Sequence, residues 1–189
     1  MAETTGNFKR FWTSSLQGDP KRGFRFKVEF GTLGMLWFAK KASRPKLSFT
    51  EASHQFLNHT YYWPARAEWD EVTITLVDPV EPDVAGTLLQ FLEKSGYHIP
   101  GSPQQGGASM SSPSKKGAVD ATGLVSISVI SESDAQLEHW RLNNAWIKSV
   151  DFSEMDYSND DLSEVTVTLR YDWADFQGKG VPAINAFQK

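Results

Sequence analysis

The sequence predicts a mainly β protein: a sandwich or barrel-like structure with one helix and a long projecting hairpin. Three observations support this fold class. Several segments alternate apolar and polar residues, one segment has helical periodicity, and a polar, aromatic-rich stretch lies between two strands. A chain of 189 residues has the size of one medium domain and can bury about 70% of its unfolded surface. It therefore needs no disulfide or metal to hold its core.

A period of two identifies the strands, because successive side chains of a strand point to opposite faces. The clearest strand has Val165, Val167, Leu169, Tyr171 and Trp173 on one face and hydroxyl or charged residues on the other. Three further segments alternate in the same way: residues 24–30, 72–76 and 125–129. Weaker strand candidates are residues 35–40, 46–51, 60–67, 139–148 and 150–156.

One helix is predicted over residues 84–95, beginning at Val84 and ending at Ser95. Its apolar residues recur at helical spacing, acidic residues precede it, and Lys94 and Gly96 lie at its end. Acid before the first turn and a cation in the last turn suit the helix dipole. The apolar stripe of this helix needs a sheet to cover.

We interpret residues 1–189 as a single domain. Residues 1–20 form a weakly patterned N-terminal arm, residues 98–122 a flexible Ser/Gly/Pro-rich loop, and residues 174–189 a C-terminal tail. The loop could instead link two domains, but neither side alone has enough strands for an independent sandwich.

Composition excludes several classes of protein. The chain has no cysteine, which rules out disulfides and thiol-ligated metals and suits a reducing cytoplasm. It has neither a secretory signal nor an apolar run long enough to cross a bilayer, so no membrane anchoring is expected. Its 23 acidic and 19 basic residues give a net charge of −4, which argues against a sequence-reading nucleic-acid binder.

A search for catalytic chemistry yields no catalytic, cofactor-binding or metal-binding residues, and we predict that the chain is not an enzyme and takes no cofactor. His54 and His59 could converge only across a turn, and their spacing is no metal motif. The acidic stretch from Asp151 to Glu164 could bind calcium but lacks the ligand series that makes this specific. A solvated turn is the simpler interpretation of this stretch.

The aromatic-rich hairpin is the more informative feature. Aromatic and Arg side chains favour buried protein interfaces, and this hairpin has little core of its own to cover. The candidate inter-subunit residues are Arg44, Phe49, Phe56, Tyr61, Tyr62, Trp63 and Arg66. The same aromatics could instead close one end of the core, or stack on a carbohydrate.

Five segments together resemble the tail tube proteins of contractile-tailed bacteriophages. They are Phe26-Lys-Val-Glu-Phe30, the hairpin ending near Asn58, residues 69–78, residues 142–152, and the polar turn that leads into the strand ending in Tyr171-Asp-Trp173. The resemblance covers roughly residues 24–173. The N-terminal arm, the Ser/Gly/Pro-rich loop and the C-terminal tail depart from it.

The resemblance implies a structural subunit of the inner tube of a contractile phage tail. Such subunits form stacked hexameric rings whose sheets join into one inner barrel, surrounded by a sheath protein and bounded by baseplate and tail terminator proteins. DNA would pass without specific binding, in a virion assembled from protein made in the host cytoplasm. We expect Thr73, Thr75, Ser126 and Ser128 to face the lumen, because hydroxyl faces offer no cationic track for phosphates.

Other interpretations remain open at this point. The tubes of type VI secretion and of extracellular injection systems, which carry protein effectors, share the same fold family. From a different class, a monomeric carbohydrate-binding β-sandwich would use Tyr61, Tyr62 and Trp63.

Overall fold

The computed structural model describes residues 20–31, 34–97, 112–158 and 160–179. Within these residues the chain forms eleven strands and two helices. The strands are β1 (Phe26–Phe30), β2 (Gly34–Met35), β3 (Ala39–Ala42), β4 (Leu47–Phe56), β5 (His59–Trp69), β6 (Val72–Val77), β7 (Val125–Ile130), β8 (Gln136–Asn143), β9 (Trp146–Phe152), β10 (Glu164–Arg170) and β11 (Trp173–Gly178). The helices are α1 (Val84–Lys94) and α2 (Lys115–Thr122). The predicted mainly β class is confirmed.

The strands form two sheets and a separate hairpin. Sheet A has the order β11-β8-β7-β1-β2, and sheet B has the order β3-β6-β10-β9. Among the strands that the structure describes, β4 and β5 pair with each other alone and form the projecting hairpin. Neighbouring strands are antiparallel throughout. Among the described strands, the sheets of one copy do not close into a barrel.

One hydrophobic core lies between the two sheets. Val28 of β1 and Ile127 of β7 belong to it from sheet A, and Ile74 of β6 and Val167 of β10 from sheet B. Their polar neighbours in the same strands face away from the core, as the period of two predicts. Each sheet therefore has one apolar inner face and one polar outer face.

Helix α1 confirms the predicted helix, and it covers one end of the core. Val84, Leu88 and Phe91 are buried, and the Phe91 ring stacks on Phe30 with centroids 6.1 Å apart. The Asp83 side chain accepts a hydrogen bond from the Gly86 amide at 2.9 Å, which caps the first turn. The sequence signals for this helix lie within it or directly beside it, and they therefore predicted it correctly.

Helix α2 lies inside the stretch predicted to be a flexible loop. Ser114 caps it by accepting a hydrogen bond from the Gly117 amide at 3.0 Å. The helix packs against α1 and β9, burying Ala121 and Thr122. Its few apolar residues gave no helical stripe, and its order comes from these tertiary contacts. The rest of the predicted loop, residues 98–111, lies outside the described residues.

The predicted C-terminal tail, residues 174–189, begins too early in the sequence. Residues 173–178 form strand β11. Ala174 and Phe176 lie opposite Leu142 and Trp140 of β8, and the Phe176 and Trp140 ring centroids are 4.6 Å apart. The predicted strand 139–148 is also two strands, since a turn at Asn144, with φ of 55°, separates β8 from β9. Residues 1–19 and 180–189 lie outside the described residues.

Candidate assembly surfaces

The projecting hairpin is long and solvated on both faces. Its register pairs His54 with Tyr61 and Phe56 with His59 across a two-residue turn. At the tip Leu57 has φ of 52° and is 88% exposed. Thr50 bridges a bulge near the base by accepting a hydrogen bond from the Arg66 amide at 3.0 Å. The confirmed hairpin thus carries an apolar tip away from the core.

Strand alternation divides the predicted interface aromatics between the two faces of the hairpin. Phe56, Tyr61 and Trp63 share one face, where the Tyr61 and Trp63 ring centroids lie 6.1 Å apart. Phe49 and Tyr62 lie on the other face. The exposed fractions of the five run from 46% for Tyr61 to 64% for Tyr62, and none belongs to the core. The structure thus places these aromatics in solvent rather than over an end of the core.

The two arginines of the predicted interface occupy different surroundings. Arg66 is exposed at the bulge of β5. Arg44 precedes β4, and its Nη1 lies 3.7 Å from Oε2 of the buried Glu138. Burial alone would raise the pKa of Glu138, but a hydrogen bond from Lys21 and the charge of Arg44 outweigh it and hold this pKa below its ordinary value. Arg44 therefore contributes to an ion cluster within its own chain.

The four residues expected in the lumen lie on two different outer faces. Thr73 and Thr75 belong to sheet B, where the Thr75 and Thr166 hydroxyl oxygens are 3.4 Å apart. Ser126 and Ser128 belong to sheet A. Because the sheets share one core, their outer faces point in opposite directions. A channel lined by a single sheet would therefore take only one of these two pairs.

The outer face of sheet A is polar, and its charges compensate each other. The Arg141 guanidinium donates to Asp175 at 2.7 Å, and Asn143 donates to the same carboxylate at 2.9 Å. Ser126 donates to Glu29 at 3.0 Å, while the Ser128 hydroxyl lies 2.9 Å from His139 Nδ1. Ser126 and Ser128 are thus buried beneath longer neighbours on this face. The longer side chains of Glu29, His139, Arg141 and Asp175, rather than the two serines, therefore set the chemistry of this outer face.

Sheet A has open edges at both ends among the described residues. Strand β11 pairs only with β8. At the other end β2 pairs with β1 at Glu29 and Phe30, and the Leu36 amide donates to the Val28 carbonyl at 2.8 Å, so only the start of β1 is open. In sheet B, by contrast, edge strand β9 is contacted by both helices. An unpaired edge exposes backbone donors and acceptors that another strand can satisfy. Sheet A is therefore the sheet best suited to join a second copy.

The described residues hold no group of three or more His, Asp or Glu side chains able to bind a metal ion. His54 and His59 both lie on the hairpin, where the turn between them brings them to one face, and His139 contacts Ser128. His98 lies outside the described residues. In the acidic stretch, Asp156 accepts hydrogen bonds from Ser158, as in a solvated turn.

One cavity of about 710 Å³ lies between the hairpin base, α2 and the turn between β10 and β11. Trp69 and Tyr171 line it beside two carboxylates, Glu68 and Asp172, and the Lys115 amine donates to Asp172 at 2.8 Å. The Lys115 hydrogen bond lowers the pKa of Asp172, so this group stays ionised at neutral pH.

None of the described helices is long and apolar enough to span a bilayer.

Comparison with known proteins identifies the fold. No family model matches the chain, and no curated protein matches its sequence. Solved structures do match. A chain of the anti-feeding prophage (AFP) tube-terminating cap, seen by cryo-EM, has a TM-score of 0.63 at 15% identity, over 86% of this chain and 94% of that one.

Two structures of the PVC extracellular contractile injection system give similar matches. A chain of its sheath-tube complex in the extended state has a TM-score of 0.62 at 14% identity, over 91% of this chain and 98% of that one. A chain of its sheath/tube terminator has a TM-score of 0.61 at 15% identity, over 85% and 99%. The chain thus has the fold found in tube and tube-terminator assemblies of contractile injection systems. The resemblance read from the sequence is confirmed at the level of fold.

Proposed function

We propose that this chain is the structural subunit of the hollow inner tube of a contractile tail or injection machine. Copies associate side by side through sheet A into rings, and the rings stack into a tube. The observation that carries the proposal is the pair of open edges of sheet A, at β11 and at the start of β1, which the short strand β2 leaves uncovered.

Strand direction favours a closed ring. Strands β1 and β11 are separated by three antiparallel steps, so they run in opposite directions. Rotation about an axis roughly parallel to the strands keeps those directions. It therefore sets β11 of one copy antiparallel to β1 of the next without turning either copy over. A head-to-tail contact of this kind closes into a ring when the rotation fits a whole number of copies, and the resemblance implies six.

In this arrangement the outer face of sheet A lines the channel, with Ser126 and Ser128 beneath it. Lys27 and Arg141 supply its positive charges, and Glu29 and Asp175 its negative charges, so this face carries no net charge from them. Such a wall offers no cationic track that would retain passing DNA. Thr73 and Thr75 then face outward, towards the sheath.

The projecting hairpin then connects rings. Its exposed aromatics on both faces would be covered by the adjacent ring, as hot-spot residues of an interface are. Sheath, baseplate and terminator proteins are the further partners. A phage tail carrying DNA in a virion is the form we favour, since it follows from the phage tail tubes that the sequence resembles. An injection-system tube carrying effectors uses the same surfaces.

Negative-stain electron microscopy of the purified chain at rising concentration tests the proposal. Rings or hollow tubes of uniform width are expected. A carbohydrate-binding module is the rival function, because the Tyr61 and Trp63 rings are exposed on one face. Glycan binding by a chain that stays monomeric at all concentrations would overturn the tube proposal.

A further inference from the structure

The loop between β9 and β10 is an exposed surface that the tube proposal does not use. Its described residues, 153–158 and 160–163, are all exposed, and they include four acidic residues and no basic one: Glu154, Asp156, Asp160 and Asp161. Met155 is 92% exposed, Leu162 is 70% exposed, and Tyr157 is fully exposed. Large apolar side chains gathered on an acidic surface mark a site of contact.

Backbone hydrogen bonds close the base of this loop. The Glu164 amide donates to Ser153 Oγ at 3.0 Å, and the Asp78 amide donates to the Ser163 carbonyl at 2.9 Å. The loop encloses a hollow of about 430 Å³ that is lined by Met155, Leu162 and acidic residues. The Ser158 amide lowers the pKa of Asp156, which stays ionised at neutral pH. The surface therefore presents apolar side chains beside fixed negative charge.

The N-terminal side of the chain enters the fold next to this loop. Arg22 lines a cavity of about 230 Å³ together with Lys40, and the Lys40 amine is hydrogen-bonded to Glu164, the residue that ends the loop. Seven residues lie between Trp12 and Pro20, so eight Cα–Cα steps connect the two. At about 3.3 Å per residue they can reach about 26 Å. Residues before Pro20 are thus tethered to the side of the fold on which Arg22, Lys40 and Glu164 lie.

The sequence of that segment complements the loop. Phe8-Lys9-Arg10-Phe11-Trp12 places two adjacent cations among three aromatic side chains. The other two long segments outside the described residues lack this chemistry. Residues 98–111 contain no Lys, Arg, Phe, Tyr or Trp, and residues 180–189 contain one Lys and one Phe. Of these three segments, the N-terminal one alone holds several cations beside several aromatic side chains, at residues 8–12.

We propose that residues 8–12 bind the β9–β10 loop of the same copy, with Lys9 and Arg10 against its carboxylates and the aromatic rings over Met155 and Leu162. Tethering favours this contact, because the short connection gives the segment a millimolar effective concentration at the loop. Burial of the aromatics supplies affinity, and the charges set the position. The contact belongs to the free subunit and does not depend on tube formation.

Disulfide trapping in the full chain tests the contact, since the natural sequence has no cysteine. Thr13→Cys with Ser163→Cys should form an intramolecular disulfide on mild oxidation, at a yield independent of protein concentration. The matched control, Thr13→Cys with Gln55→Cys, places the second cysteine on the exposed hairpin and should not crosslink. Equal yields in the two variants, or crosslinks only between copies, would overturn the proposal.

Charge reversal separates a specific contact from mere proximity. Lys9→Glu with Arg10→Glu should lower the disulfide yield about fivefold, because two attractive surface contacts become repulsive. Adding Glu154→Lys and Asp160→Lys should restore it. Lys116→Glu with Lys189→Glu makes the same change in net charge elsewhere and should leave the yield unchanged. The proposal is contradicted if Lys9→Glu with Arg10→Glu leaves the disulfide yield unchanged. It is also contradicted if the control substitutions lower the yield equally.

Discussion

Arg141 Nη2 donates to Asp175 Oδ2 at 2.7 Å across the β8–β11 pair, on the outer face of sheet A. Asp175 is only 8% exposed although it lies on the last strand of the sheet. Arg141 and Asn143 thus fix β11 to its neighbour while the far edge of β11 stays unpaired by any described strand. In the proposed ring this edge is the one that meets the next copy.

Asp175→Ala should lower the free energy of unfolding by about 1–3 kcal/mol, because the donors of Arg141 and Asn143 lose a charged acceptor in a largely buried position. Urea titration of the monomer measures this change. The matched control is Asp70→Ala, which removes the carboxylate of an exposed ion pair with Lys46. It should cost less than about 1 kcal/mol. Equal losses would mean that Asp175 does not secure β11.

Tyr62→Ser with Trp63→Ser should weaken ring stacking and leave the monomer almost unchanged. Both side chains are at least half exposed and lie outside the core. The unfolding free energy should change by less than about 0.5 kcal/mol. The concentration needed for tube formation should rise at least about tenfold, which corresponds to about 1.4 kcal/mol per contact.

The control for this pair is Tyr97→Ser, an equally exposed aromatic beyond the end of α1. It should affect neither stability nor stacking. If the hairpin variant lost stability and assembly to the same extent, Tyr62 and Trp63 would have to be part of the core.

Gln177→Cys and Thr73→Cys should report which outer face lines the channel. Gln177 lies opposite His139 on the outer face of sheet A, and Thr73 lies on the outer face of sheet B. In free subunits both cysteines should react with a large polyethylene glycol maleimide. In assembled tubes only the cysteine at position 73 should react, because the reagent is too large for a channel. The reverse pattern would assign the lumen to sheet B.

Tyr171 should ionise at a higher pH than an ordinary tyrosine. Burial, together with the charge of Asp70, raises its pKa to about 12. The unfolded chain loses this proton near pH 10, before the folded chain does. The stability that Tyr171 contributes is therefore fully present below pH 10 and is lost as the pH rises towards 12. Ultraviolet titration measures the pKa, and Tyr171→Phe should flatten the alkaline loss of stability. An ordinary pKa at this position would contradict the described burial.

The elements that sequence patterns predicted correctly are those whose signals lie within the element itself. The alternation in β1, β6, β7 and β10 survived because a half-buried strand must have two chemically different faces. The capping residues and the apolar stripe of α1 also predicted this helix correctly, because both lie within the helix or directly beside it. Helix α2 and strand β11 could not be predicted in this way, since Ala121 and Ala174 are ordered by partners distant in sequence.

The candidate surfaces show the same division. The aromatic composition of the hairpin suggested either a subunit interface or closure of one end of the core. The structure shows Phe49 and Tyr62 exposed and outside the core, and their place in an interface stays a prediction. The hydroxyl pattern could not reveal that Thr73 and Ser126 lie on opposite outer faces. Alternation defines two faces for each strand, but which faces of different strands coincide depends on sheet pairing.

A cryo-EM map of the assembled protein tests the central claim most directly. The account predicts a closed ring in which β11 of each copy pairs antiparallel with β1 of the next, with Arg141 and Asp175 facing a central channel. Copies joined through sheet B, or a protein that stays monomeric at every concentration with fast amide exchange along the outer edge of β11, would contradict it.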